Sequence, residues 1–471
     1  MEKFYITTTL PYVNAEPHIG FAMEIIRADV LARMHRELGD EVFFNTGTDE
    51  HGQKIFQKAT EAGLDPQAYC DEYASKFGEL KTGLNLSYDN FIRTTDEHHL
   101  KAAQEFWKRC EAKGDIYKKT YKVKYCVGCE LEKTDSELVE GKCPLHPTQN
   151  LESIEEENYF FKFSEYQQKL LDLYEARHNF VCPDFRQNEM KIFVAGGLQD
   201  FSISRLKSKM PWGVEVPGDP SQVMYVWFDA LVNYISALGW PENTEKFNDF
   251  WPGVQVCGKD NLRQQTAMWQ AMLMSADLPN SKQVFVGGFL TSGGQKISKS
   301  LGNTINPLEW SKKYGVDALR YFLLAEVSVF EDSDVTIERF EEAYQAGLAN
   351  GIGNLAARVA TMAERIGLKV PEQKMGMREE VVNKLNTYRF DEAMKFIWDD
   401  IKRADTLINQ REVWKLTGEE QQFVLADLVR IIRQIGADLV PFMPETAEKL
   451  KTQFGKEEIK RGDNLFQRIE K

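Results

Sequence analysis

Residues 4–46, FYITTTLPYVNAEPHIGFAMEIIRADVLARMHRELGDEVFFNT, decide the fold of this chain. The run at 4–9 is rich in β-branched and aromatic residues and predicts a strand. From residue 22 to 38 apolar side chains recur every three or four positions, which predicts an amphipathic helix. The apolar run at 42–45 predicts a second strand. A strand–helix–strand order of this kind predicts parallel strands in an α/β domain.

The composition and the hydrophobic pattern of the remaining chain change twice. Short apolar runs at 224–228, 254–257 and 284–286 predict later strands of the same sheet. Between them and the first strands, residues 115–222 carry a Cys/His cluster and stretches rich in Lys or Glu, which predicts an insertion that splits the α/β domain. Beyond about residue 337 long helical periods dominate and predict a helical bundle.

Composition limits the possible classes of protein. The 471 residues are 42% hydrophobic and 28% charged, which is ordinary for a globular chain of roughly three domains and excludes a mainly disordered one. The sequence shows neither a run of about 18 apolar residues nor a signal-peptide core, so we expect a cytoplasmic protein without membrane contact. A net charge of −14 argues against nucleic-acid binding but does not exclude it, because local patches bind phosphate.

Two loops have the residue types of a phosphate site. Residues 10–20 join the first predicted strand to the first predicted helix, where free N–H groups and the helix dipole favour an anion. Gly20 permits close approach and His18 can donate a hydrogen bond, although a plain turn with a surface histidine is the alternative. The segment 292–303, SGGQKISKSLGN, places Lys296 and Lys299 between glycines. It predicts a cationic loop that closes over a polyphosphate, with a solvated basic loop as the alternative.

Three of the seven cysteines form a cluster with a histidine. Two ligand pairs, each spaced by two residues, lie thirteen residues apart. They could present four ligands tetrahedrally, which suits a structural Zn²⁺ site because no position is left for water. Unrelated cysteines in a reducing cytosol are the alternative. The predicted metal ligands are Cys126, Cys129, Cys143 and His146.

The two loops together resemble the signatures of the class I aminoacyl-tRNA synthetases. HIG stands at residues 18–20 and KISKS at 296–300, with Ile297 in place of the usual Met and Phe21 in place of a second His. Further segments in consistent order narrow the resemblance to the methionyl-tRNA synthetases. They are LPYVN at 10–14, GTDEHG at 47–52, YVWFDA at 225–230, GKD at 258–260 and NLAAR at 354–358.

This resemblance implies a fold and an arrangement of domains. The expected fold is a Rossmann-like parallel-sheet catalytic domain, split by a zinc-binding insertion and followed by an α-helical anticodon-binding bundle. The expected segments are the first catalytic half at 1–114, the insertion with a zinc knuckle at 115–222, the second catalytic half at 223–291, the KISKS loop and stem-contact region at 292–336, and the anticodon-binding domain at 337–471. Because no further domain follows residue 471, we expect a monomer.

The resemblance also implies an activity: methionine–tRNA ligase, with methionine, ATP and tRNA(Met) as partners and Mg²⁺ accompanying the ATP. The implied ATP site contains His18, Gly20, Lys296, Ser298 and Lys299, of which the histidine and the two lysines act in catalysis. The implied methionine site contains Leu10, Tyr12, Asp49, Trp227, Ala230, Tyr234, Asn261 and Gln265. On spacing alone, Trp227 and Tyr234 would be ordinary core aromatics.

Two departures from the family pattern keep other functions open. Asn261 and Gln265 replace an apolar residue and a histidine near the substrate side chain, and Gly287-Gly288 replaces a His-Gly pair. Asn261 and Gln265 motivate a class I synthetase for another amino acid as an alternative. A non-catalytic tRNA-binding paralogue is the second alternative, favoured by Phe21 and opposed by the intact KISKS segment.

For the anticodon, the resemblance implies Asn354, Arg358 and Trp414. Asn354 and Arg358 stand four residues apart and therefore share a helix face. Trp414 has the residue type that stacks on unpaired bases. A surface ion pair is the alternative for Arg358, and a buried core ring is the alternative for Trp414.

Overall fold

The computed structural model describes residues 2–133, 137–297 and 303–469. Its strands, numbered in chain order, are β1 (Lys3–Thr8), β2 (Glu41–Thr48), β3 (Asn90–Arg93), β4 (Ile116–Cys126), β5 (Leu131–Lys133), β6 (Glu152–Phe161), β7 (Val181–Cys182), β8 (Phe201–Ser202), β9 (Ser204–Leu206), β10 (Glu215–Val216), β11 (Asp219–Met224), β12 (Val254–Gly258), β13 (Gln283–Gly287), β14 (Leu290–Ser292), β15 (Gln295–Lys296) and β16 (Ser333–Asp334).

The α-helices are numbered in the same way. They are α1 (Ile19–Glu37), α2 (Gln53–Ala62), α3 (Pro66–Gly78), α4 (Leu80–Gly83), α5 (Glu97–Ala112), α6 (Gln167–Ala176), α7 (Asp184–Ala195), α8 (Val226–Ala230), α9 (Asn233–Ser236), α10 (Thr244–Phe250), α11 (Trp269–Ser275), α12 (Pro307–Tyr314), α13 (Val316–Tyr321), α14 (Ile337–Ala343), α15 (Asn354–Arg365), α16 (Glu379–Asn386), α17 (Phe390–Gln410), α18 (Gly418–Leu439) and α19 (Pro444–Phe454). Shorter 3₁₀ turns span Phe163–Tyr166 and Lys259–Asn261, and π-helical segments span Gln264–Met268, Phe322–Glu326 and Tyr344–Gly353.

A parallel sheet forms the centre of the molecule, in the order β3–β2–β1–β12–β13–β7. Ile6 of β1 pairs with Phe44 on one side and Val254 on the other. Because the chain crosses from one half of the sheet to the other between β1 and β12, a crevice opens at the carboxyl ends of these two strands. The predicted parallel α/β core is confirmed.

Two details of the sheet differ from the sequence analysis. The prediction that residues 224–228 form a strand of this sheet is wrong: they span the end of β11, which is antiparallel to its neighbours, and the start of α8. A short apolar run that is buried on all sides does not distinguish a strand from a helix. In addition, β7 from the segment assigned to the insertion pairs in parallel with β13 at the edge of the central sheet.

Residues 115–222 otherwise form antiparallel structure of their own. One sheet has the order β5–β4–β6–β8 and another β10–β11–β9. The β4–β6 ladder runs without interruption from the Ile116–Phe161 pair to the Tyr125–Glu152 pair. Its far end carries Cys126 and lies against the start of α2, where the Lys54 N–H donates to Glu130 at 2.8 Å and Gln53 donates to Glu152 at 2.8 Å.

The region after residue 337 is helical, as predicted. A buried guanidinium joins it to the α/β core: Arg320 of α13 lies 2.8 Å from the Asp29 carboxylate of α1 and donates to the carbonyl oxygens of Phe442 and Pro441 at 2.7 and 2.9 Å. The Tyr388 ring, just before α17, stacks on Phe285 of β13 at 4.6 Å. Within the described ranges, the helices are too short or too polar to cross a membrane.

Candidate functional site

The crevice at the ends of β1 and β12 begins with the loop that leads into α1. His18 is the N-cap of α1, and its Nδ1 accepts a hydrogen bond from the Gly20 N–H at 3.1 Å. The imidazole is therefore held against the first turn of the helix, where an anion is favoured. Phe21, at the position of the usual second histidine, is buried and packs edge-on against Phe77 at 5.7 Å.

Glu24, one turn further along α1, was missed by the sequence analysis. Its Oε1 accepts from the N–H and the hydroxyl of Thr9, at 2.9 and 2.5 Å, and so ties α1 to the end of β1. Burial raises the pKa of the Glu24 carboxyl to about 8. The sequence did contain a sign of this role, because Glu24 is a charged residue among the apolar residues on this face of α1.

Beside this loop lies a cavity of about 270 Å³ of empty space, part of it open to solvent. The residues that line it are Thr9, Leu10, Asp49, Trp227, Ala230, Leu231, Asn233, Tyr234, Asn261 and Gln265. Every residue of the expected methionine site except Tyr12 is among them. Tyr12 is adjacent, because its ring centroid is 6.5 Å from that of Trp227 and its backbone bridges to Asp49. The sequence analysis missed the lining residues Thr9, Leu231 and Asn233.

The cavity contains a carboxylate that suits a cation. Asp49 is 3% exposed, and burial, followed by the nearby Asp229 carboxylate, raises its pKa well above the usual range. Within residues 2–133, 137–297 and 303–469, its Oδ1 has no hydrogen-bond partner. Because a buried carboxylate with an open acceptor is costly, the arrangement favours a ligand that carries an ammonium group.

A second buried carboxylate holds the wall of the cavity in place. Asp229 of α8 accepts from His51 at 2.5 Å and from His99 at 2.8 Å, and the other nitrogen of His99 is 2.8 Å from the Ser236 hydroxyl. Burial opposes ionisation of Asp229, but the two imidazoles prevail and its pKa is lowered to about 2. This cluster fixes α8, and with it Trp227, against the segment after β2 that carries Asp49 and His51.

The lysine-rich loop is described only in part. Lys296 ends β15, whose partner β14 pairs in parallel with β16 beside the crevice. Ile297 is buried in the hydrophobic core, which anchors this end of the loop. Ser298 and Lys299 lie outside the described residues.

The cysteine cluster forms a compact set of four metal-binding atoms. The sulfur atoms of Cys126, Cys129 and Cys143 and a ring nitrogen of His146 all lie within 4.8 Å of one another. The Sγ atoms of Cys129 and Cys143 are 3.9 Å apart, and His146 Nδ1 is 3.7 Å from the sulfur of Cys126. This group could bind a metal ion.

The expected anticodon residues lie together on the helical domain. Asn354 begins α15 and Arg358 follows one turn later. The Arg358 guanidinium is 3.2 Å from the Asp405 carboxylate and 2.9 Å from the Asn409 side-chain oxygen of α17, and it lies 5.9 Å from the Trp414 ring centroid. Trp414 is 43% exposed, so it is not a core ring.

The chain is similar to known proteins along nearly its whole length. Residues 4–155 and 148–360 match the family described as tRNA synthetases class I (M). The methionine–tRNA ligase of Thermotoga maritima is 43% identical, over 95% of this chain and 74% of that protein. The ligase of a Synechocystis species is 42% identical, over 96% and 89%.

The structure is similar as well. A Mycobacterium tuberculosis methionyl-tRNA synthetase in complex with methionyl-adenylate superposes with a TM-score of 0.91, at 35% identity, and the match covers 97% of this chain and 94% of that one. From the matched segments, the identities and the shared fold it follows that this chain belongs to the methionyl-tRNA synthetases, a family of class I aminoacyl-tRNA synthetases.

Proposed function

We propose that this enzyme activates methionine with ATP·Mg²⁺ to methionyl-adenylate and then transfers the methionyl group to tRNA(Met). The observation that carries the proposal is the cavity at the crevice, which is lined by aromatic side chains and by Asp49, a buried carboxyl with an oxygen that has no hydrogen-bond partner in the described residues. The family relationship supports it, since the similar Mycobacterium tuberculosis protein is described with methionyl-adenylate.

In the first step the amino acid is positioned rather than chemically altered by the protein. Asp49 would bind the substrate ammonium, and Tyr12 and Trp227 would pack against a flexible, polarizable thioether. The substrate carboxylate oxygen then forms a bond to the α-phosphorus of ATP, and the bond from that phosphorus to the bridging oxygen breaks. Pyrophosphate leaves with the electron pair, so the reaction needs no covalent bond to the enzyme.

The phosphates would lie against the amino end of α1, beside His18 and Gly20. Lys296, Ser298 and Lys299 would close over them from the other side and offset the charge that develops on pyrophosphate. Mg²⁺ bound to the ATP would neutralise part of the phosphate charge. Glu24 holds Thr9 and thereby the strand end that forms the floor of the crevice.

ATP–pyrophosphate exchange measured with each of the twenty amino acids tests this proposal. We expect exchange with methionine alone. Exchange with a different amino acid would favour the other class I specificity that Asn261 and Gln265 suggest, and no exchange at all would favour a non-catalytic tRNA-binding paralogue.

We also propose that the cysteine cluster holds a structural zinc ion. A tetrahedral Zn²⁺ with Zn–S distances of about 2.3 Å separates its sulfur ligands by about 3.8 Å, and the Cys129–Cys143 separation is 3.9 Å. Three thiolates and an imidazole fill the four positions, so the ion would stabilise the fold of the hairpin end and take no part in the reaction.

Replacing Cys126 with serine should remove this metal. Because a structural zinc ion contributes folding free energy, the C126S protein should contain little zinc by elemental analysis and should be cleaved by protease more rapidly within the insertion. C182S, which removes a half-buried cysteine outside the cluster, should keep the metal. A native protein purified without chelator that contains no zinc would contradict the assignment.

For the second step we propose that Asn354, Arg358 and Trp414 bind the anticodon of tRNA(Met). The Trp414 ring is exposed enough to accept a stacked base, and the Arg358 guanidinium lies beside it. Asp405 and Asn409 hold that guanidinium from the neighbouring helix, which reduces the side-chain entropy that binding would otherwise cost.

The W414A substitution should lower the efficiency of tRNA charging and leave activation intact. Loss of one base–aromatic stack costs about 1–3 kcal/mol, which corresponds to about a five- to 150-fold fall in kcat/KM for tRNA. Methionine-dependent pyrophosphate exchange and Tm should stay close to wild type. F423A, which removes a more exposed aromatic ring from α18, serves as the control. A joint loss of exchange activity and stability in W414A would show that the ring is structural.

A further inference from the structure

A chain of buried hydrogen bonds runs behind the cavity. Its five side chains come from different elements: Tyr234 in α9, Gln255 in β12, Gln265 in a π-helical segment, Gln270 in α11 and Ser281 before β13. Each is at most 2% exposed. Two of them, Tyr234 and Gln265, line the cavity, so the chain connects the cavity wall to the interior of the protein.

The direction of these hydrogen bonds is set by a backbone group. The Ser281 N–H can only donate, and it donates to Gln270 Oε1 at 3.1 Å. The Gln270 amide therefore presents its Nε2, which donates to the backbone oxygen of Gln265 at 2.8 Å and to the Ser281 hydroxyl at 3.0 Å. Having accepted that bond, the Ser281 hydroxyl donates to Gln255 Oε1 at 2.6 Å.

The same direction continues to the cavity. Gln255 Nε2 donates to Gln265 Oε1 at 3.1 Å, and Gln265 Nε2 donates to the Tyr234 hydroxyl oxygen at 2.5 Å. The hydroxyl oxygen of Tyr234 thus accepts a hydrogen bond from the protein. In the part of the chain that the structure describes, no side chain or backbone group accepts its proton.

We propose that Gln255, Gln270 and Ser281 are positioning residues for substrate selection: they fix the Gln265 amide and so direct the Tyr234 hydroxyl proton into the cavity, toward an acceptor atom in the amino-acid side chain. If the Gln265 amide were reversed, its oxygen would face Tyr234, the hydroxyl would donate to it, and Tyr234 would no longer donate into the cavity. The inference rests on the proposed activation of methionine, whose thioether sulfur is a weak acceptor.

The Q255M substitution tests this arrangement, because methionine has nearly the length of glutamine but no amide. The measurement is kcat/KM in pyrophosphate exchange for methionine and for norleucine, in which a methylene replaces the sulfur. We expect the methionine-to-norleucine ratio to fall about tenfold, mainly through the KM for methionine, with the KM for ATP unchanged. A tenfold change corresponds to 1.4 kcal/mol, the upper part of the range for a neutral hydrogen bond.

Two further variants keep the test decisive. Q222M removes a glutamine of β11 that is just as buried but outside this chain of hydrogen bonds, and it should keep the wild-type ratio. S281A removes only the hydroxyl and should shift the ratio in the same direction by a smaller factor, so it decides the matter if Q255M does not fold. Wild-type protein that fails to exchange with methionine would overturn the proposed function. Wild-type activity with an unchanged ratio in Q255M and S281A would overturn this inference alone.

Discussion

The D49N protein should lose most of its methionine-dependent activity while it remains fully folded. Removal of one partner from a buried charge pair costs about 2–5 kcal/mol, so kcat/KM for methionine in pyrophosphate exchange should fall about 30- to 5,000-fold. The reason is the position of Asp49, which lines the cavity and whose buried Oδ1 has no hydrogen-bond partner within the described residues. The effect should appear mainly in the KM for methionine, since the substrate ammonium makes this contact in the ground state.

The thermal stability of the ligand-free D49N protein should be equal to or higher than that of the wild type, although its activity falls. The folded-state pKa of Asp49 is raised above its unfolded value, so in the empty site this carboxyl costs stability increasingly as pH rises above the unfolded pKa, and the cost is complete above the folded pKa. The neutral amide removes the cost, and D49N without ligand should melt at or above the wild-type Tm at pH 7. D463N, at an exposed position near the end of the chain, should change neither property. Unaltered kcat/KM in D49N would remove Asp49 from the amino-acid site.

The K299A protein should form adenylate about 10²- to 10³-fold more slowly, which is the scale for loss of one preorganised charge contact. Because the lysine acts on the transferring phosphates, single-turnover formation of methionyl-adenylate is the direct measurement. Methionine affinity, measured by titration of the free enzyme, should barely change. K312A, on the exposed side of α12, is the matched control, and a wild-type rate in K299A would exclude the residue from the mechanism.

The sequence was sufficient to predict those parts of the site whose residues are close together along the chain. The loop at 10–20 and the helix that follows form one uninterrupted strand–turn–helix unit, and the position of His18 at the helix start follows from the prolines before it. The cysteine cluster is equally local, because its four ligands lie within 21 consecutive residues, 126–146, and their spacing alone brings them together.

What could not be predicted are contacts between distant segments. Asp229 binds His99 across 130 residues, and no periodicity or spacing rule links the two positions. The hydrogen bonds that orient Gln265 arise in the same way: the sequence marked Gln265 as a departure from the family pattern but gave no sign that Gln255 and Ser281 would hold it. Strand β7 was missed because a two-residue strand has no alternation to detect.

The neighbours of β1 also have a consequence for how the protein is made. Ile6 finds its first partner, Phe44, soon after both have been synthesised, but its second partner, Val254, is roughly 250 residues further along the chain. At about 5–20 residues per second the ribosome needs about 10–50 s to reach it. For that time one side of β1 has no neighbouring strand, and exposed strand edges of this kind favour aggregation. The nascent chain should therefore depend on chaperones until β12 has been added.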